Sequence, residues 1–204
     1  MLFRSGNAFS FLAYQHISTD RPRVDLATQS YETAKQDATP RTETLLLQRM
    51  AWTHAVAGQA KETEAALEAA TAAYQLEGDQ EDPDWVFWVD DDELEIMAGR
   101  CWTVLRRPLR AVPTLESVLA RYDDTHARDK AMYLSWLAHA YIDAGEVEHG
   151  ATVTSRAMEL ATGVASVRPL QHIDTVLRRL QPHEQLPEVA ELVERRRARV
   201  TALS

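Results

Sequence analysis

The sequence predicts an all-α fold, a right-handed superhelix of about four to five antiparallel helix pairs. Three observations predict it. Hydrophobic residues make up 45% of the 204-residue chain, with Ala, Leu, Glu and Arg dominant and only 7 Gly and 8 Pro, a composition that favours helix over turn-dense sheet. Apolar residues recur at helical spacing almost throughout, with breakers between the periodic segments. Several of those segments repeat one another position by position.

Taken in order, the stripes predict helices near 6–17, 23–37, 41–57, 60–77, 91–106, 109–121, 128–144, 147–162, 168–180 and 187–202. The breaks fall at Asp20-Arg21-Pro22, Thr39-Pro40, Gly58, Asp82-Pro83, Pro108, Gly145, Pro169, Pro182 and Pro187. Short helices with short joints predict antiparallel neighbours. Residues 47–70 and 134–157 align without gaps: Met50-Ala51 with Leu137-Ala138, His54 with Tyr141, Gly58 with Gly145, and Thr63, Leu67 and Ala70 with Gly150, Thr154 and Ala157. A third copy gives Gly99, Trp102, Ala111, Leu115 and Val118; the first gives Ala13, His16, Ala27, Tyr31 and Ala34. Small residues at a crossing let two helix backbones approach, and large residues one turn away fill the space beside them. Glycine after the first helix of each pair supplies a left-handed cap.

This arrangement resembles the tetratricopeptide repeat over nearly the whole chain. One domain over 1–204 is expected, with repeats near 6–37, 41–77, 91–121 and 128–162, a degenerate C-terminal pair at 167–202, and an aromatic linker at 79–90. In that linker Trp85, Phe87 and Trp88 are expected to dock as an apolar plug, with Asp90 to Asp92 capping the next helix. Further residues carry a narrower resemblance. Trp85, Phe87, Trp88-Val89-Asp90, the acidic run to Leu94, Ala98-Gly99-Arg100-Cys101 and Pro108-Leu109-Arg110-Ala111-Val112 look like the C-terminal repeat region of actinomycete helix-turn-helix transcriptional regulators. Lys130-Ala131, Leu137-Ala138-His139-Ala140, Ser166-Val167-Arg168 and Glu191 to Arg197 extend the likeness. That family carries a DNA-binding domain ahead of its repeats. Here the chain is expected to open inside a repeat, since Phe9, Phe11 and Leu12 fall on a helical stripe.

The net charge of −9 argues against direct nucleic-acid binding by this chain. The single cysteine, Cys101, fits a reducing compartment and a buried packing role. No apolar run reaches membrane-span length, so no membrane association and a cytoplasmic location are expected. The histidines lack metal-ligand spacing, and His16 and His54 read as packing residues. The acidic run Asp90 to Glu93 points around a helix and cannot converge on an ion. No metal, cofactor or catalytic residue is therefore assigned. His139 and Asp143, one turn apart, read as a groove hydrogen bond in preference to a general-base pair. The basic run Glu194 to Arg199 reads as a solvated last turn.

The candidate binding surface is the concave wall lined by the first helix of each repeat. Tyr14, Trp52, Arg100 and His139 follow the small crossing residues Ala13, Ala51, Gly99 and Ala138 and face inward; Ser10, Gln48, Ile96 and Ser135 lie three before those small residues; Thr103 and Asp143 lie further along. An inward Trp52 requires something to cover it. The mixture of aromatic, amide and charged groups suits a protein or peptide partner or a small-molecule signal. The resemblance implies a sensor or protein-interaction module of a transcriptional regulator, with homodimerisation as one means of response. A stand-alone adaptor joining two proteins is the alternative.

Overall fold

The computed structural model describes residues 22–76, 81–162 and 166–203. Among them are nine α-helices and no strand, in two compact units that meet between Leu105 and Arg106. The boundary falls inside the repeat expected at 91–121. The helix expected at 6–17, with Ser10, Tyr14 and His16, lies outside the described residues.

The first unit contains α1 (Val24–Ala34), α2 (Pro40–Val56), α3 (Ala60–Tyr74) and α4 (Asp91–Val104). Thr39 caps α2 by accepting from the Thr42 amide at 3.4 Å, and Pro40 occupies the first turn, where its missing N–H costs nothing. The α2–α3 hairpin is the most extensive pairing; α1 packs on α2, and α4 packs on both α2 and α3. Ala51, Thr63 and Ala70 are fully buried in this unit. Leu47, Ala70 and Ala73 form a core into which Tyr31, Met50, Ala69 and Leu94 reach. Tyr31 Oη donates to Glu43 Oε1 at 2.7 Å, tying α1 to α2.

Between α3 and α4 a 3-10 turn spans Asp84–Val86. The expected aromatic plug is corrected here. Val86 and Val89 are the residues that dock, both fully buried against Leu45, while Phe87 is 76% exposed and Trp85 and Trp88 remain 39% and 40% exposed. A three-residue turn puts 86 and 89 on one side and swings the aromatics out. The acidic run behaves as expected: Asp90 accepts from the Glu93 amide at 2.8 Å, and Asp91, Asp92 and Glu93 fill the first turn of α4.

The second unit contains α5 (Pro108–Arg121), α6 (Ala127–Ala144), α7 (Val147–Thr162), α8 (Val167–Leu180) and α9 (Pro187–Leu203). The α6–α7 hairpin is the counterpart of α2–α3. In this unit α5 packs on α6, α8 on both α6 and α7, and α9 on α7. The small-residue crossing is tight: a Cβ on Gly150 would stand 3.0 Å from Ile142 Cγ1 and 3.3 Å from the Ala138 carbonyl. Gly58 and Gly145, aligned in the sequence, both take left-handed φ, at 75° and 84°. Arg106 holds φ 53° at the corresponding place after α4.

Candidate functional site

The expected wall residues gather as two clusters, one in each unit. In the first, Gln48 and Trp52 stand one turn apart on α2, and Arg100 comes from α4. The cover for Trp52 is Arg100, whose guanidinium lies 4.7 Å from the ring centroid and leaves the indole buried. The cation satisfies the ring face while the α4–α2 contact brings it there. Gln48 is 0% exposed, yet neither its amide nitrogen nor its amide oxygen has a hydrogen-bond partner among the described residues. Buried amides normally find partners, so this one marks a local demand for a donor and an acceptor. Thr103, buried on α4, spends its hydroxyl on the Gly99 carbonyl at 2.9 Å. Ile96 is fully buried and serves the core.

In the second unit α6 supplies Ser135, Trp136, His139 and Asp143, and α8 supplies His172, Thr175 and Arg179. His139 and Asp143 do not bond each other directly; Arg179 stands between them. Its Nη2 donates to Asp143 Oδ1 at 2.6 Å, and its Nη1 donates to His139 Nδ1 at 3.2 Å and to the His139 carbonyl at 3.3 Å. A guanidinium has no acceptor, so Nδ1 must be the bare nitrogen and Nε2 must carry the proton. Nε2 then donates to Thr175 Oγ1 at 3.1 Å, and the Thr175 hydroxyl donates to the His172 carbonyl at 2.6 Å. Burial, then the Arg179 charge, holds the His139 ring neutral and lowers its pKa to about 4, against the opposing pull of Asp143. With its lone pair bound by Arg179, the ring is arranged as a fixed relay and not as a base. Trp136 packs beside both imidazoles, with ring centroids 6.3 Å from His139 and 5.7 Å from His172. Ser135 is buried and donates to the Ala131 carbonyl at 3.0 Å.

No protein-family model matches the chain, no curated protein matches it, and no solved structure matches it.

Cys101 is fully buried, and desolvation pushes its thiol up to about 12, which keeps it protonated. Among the described residues no group of three His, Cys, Asp or Glu side chains converges as a metal site. None of the described helices is long and apolar enough to cross a membrane. His54 is half-buried with Nδ1 2.6 Å from Gln59 Oε1, while His126 and His149 are exposed beside Asp123 and Glu146. Three C-terminal arginines are engaged within the chain: Arg195 bonds Ser155, Arg196 holds both Asp174 oxygens at 2.8 and 3.0 Å, and Arg197 lies 3.9 Å from Glu184; the Arg199 side chain lies outside the described residues. Sequence reading missed Trp136, His172, Thr175 and Arg179. The 172, 175, 179 spacing puts the last three on one helical face, which was the available signal.

Proposed function

We propose that this chain is a tetratricopeptide-like sensor and protein-interaction module of a transcriptional regulator. It takes a peptide, a small molecule or a protein partner into the concave groove of a right-handed helical superhelix. The pairing scheme within each unit, each hairpin followed by a helix resting on both its members, supports the repeat reading. So do the tight Gly150 crossing and the left-handed joints. The regulator assignment leans on the resemblance carried by residues 85–112.

The observation that carries the groove reading is Gln48. An amide sealed in the wall with both its polar atoms unpaired among the described residues, beside the Arg100-capped Trp52, asks for a polar ligand group. Native mass spectrometry of the chain, purified gently from its source, tests this. The wild type is expected to carry a bound peptide or small molecule that Gln48→Leu and Trp52→Ala release. A bound species retained by both variants, or no bound species in the wild type, sinks the groove reading. An immunoblot of the source cells separates regulator from adaptor. A band exceeding 23.0 kDa by a DNA-binding domain supports the regulator, and a band at that mass favours the adaptor.

A further inference from the structure

The Trp85–Trp88 turn is built to present its aromatics. Val86 and Val89 anchor it from below against Leu45. Trp88 Nε1 donates to the Trp85 carbonyl at 2.9 Å. Arg41 donates to the Phe87 carbonyl at 3.4 Å while its Nε pairs with Asp82 at 3.4 Å. Exposed aromatics on a fixed base are the usual anchors of an interface, since little entropy remains to be lost on docking. Exposed aspartates flank them in the chain, Asp84 and Asp91 beside Asp82, which pairs with Arg41, and Asp90, which caps α4. The surface therefore fits an apolar side chain set among guanidinium groups.

The chain itself carries such a segment. Arg106-Arg107-Pro108-Leu109-Arg110 opens α5, with Leu109 90% exposed and all three arginines exposed. Leu109 lies off the buried stripe of α5, which runs through Ala111, Leu115, Val118 and Leu119. The arginines also sit at the wrong end of their own helix: the first turn has no acidic residue, and Arg107 makes no side-chain cap. Cations at a helix N-terminus oppose its dipole, so the dipole does not explain them.

We propose that the chain self-associates head to tail, the Leu109–arginine segment of one copy docking on the Trp85–Phe87–Trp88 turn of another. Such a contact closes as a reciprocal pair or continues as an open chain. It stands apart from the groove reading and survives its failure. Sedimentation velocity on the full chain, at up to about 0.1 mM, tests it with Phe87→Glu and Leu109→Glu. Both side chains are exposed, and far-ultraviolet circular dichroism checks that each variant keeps its helices. The wild type is expected to associate, less so as salt rises, and each variant to weaken association about tenfold or more. An equimolar mixture of the two variants should regain a one-to-one complex, because each supplies the half the other lacks. A monomeric wild type overturns the proposal. So does association that either variant leaves intact, or a mixture that stays monomeric, since then a different face or a different partner uses the turn.

Discussion

A buried glutamine amide with neither atom paired costs stability, because both groups lost water on folding and gained nothing. Gln48 is in that position on α2. Replacing it with leucine removes the uncompensated groups at similar volume. Gln48→Leu is expected to raise the unfolding free energy by about 1–3 kcal/mol, read as a higher urea midpoint at unchanged slope. A lower midpoint would show that the amide has partners in solution that stabilise the fold. Arg106 carries a different local cost. Its φ of 53° lies where a Cβ crowds the following carbonyl. Glycine there relieves the crowding but loses more entropy on folding, so Arg106→Gly should stabilise by at most about 1 kcal/mol. A destabilisation beyond about 1 kcal/mol would mean that the arginine makes contacts outweighing its backbone strain.

At the scale of helices, close approach governs the α6–α7 hairpin. Gly150 is a packing glycine, with Ile142 Cγ1 and the Ala138 carbonyl within reach of any added Cβ. Valine adds two methyls beyond that Cβ, so Gly150→Val should destabilise by about 1–3 kcal/mol through overpacking. Adding Ile142→Ala should recover part of the loss, and a strictly additive double variant would refute the steric account. This crossing was legible in the sequence because small residues aligned with small residues between 47–70 and 134–157. The helix boundaries were legible for a similar reason: Pro40, Gly58, Asp90 and Gly145 end or open helices by local backbone chemistry. Three features were not legible. The docking of Val86 and Val89 in place of the tryptophans depends on a 3-10 turn, whose period of three is invisible when the eye follows helical spacing. The left-handed joint at Arg106 lacks the glycine that announces the other two. The insertion of Arg179 between His139 and Asp143 depends on how α8 settles on α6, a long-range pairing that no local pattern encodes.

For the molecule as a whole, the His139 relay makes folding stability depend on pH in a defined window. The imidazole is neutral in the folded state, its pKa lowered to about 4 by burial and by Arg179, with His172 adding a smaller push down and Asp143 a pull up. In the unfolded chain the same ring titrates near its ordinary 6.5. Above pH 6.5 neither state binds the proton, and the contribution is fully present. Between 6.5 and 4 the unfolded chain takes up a proton that the folded chain refuses, so stability falls as pH falls. Below 4 both states are protonated and the contribution is gone. The full swing corresponds to at most about 3 kcal/mol. His139→Gln offers an amide oxygen to Arg179 and an amide N–H to Thr175, keeping the relay without a titrating group. Urea unfolding at intervals between pH 7.5 and 4 should therefore show a shallower decline for His139→Gln than for the wild type, with the two curves parallel above pH 7. Other carboxylates titrate in both proteins and cancel in the difference. Parallel curves across the whole range would mean that His139 accepts a proton in the folded state as readily as in the unfolded one, and that the Arg179 contact does not hold Nδ1 bare.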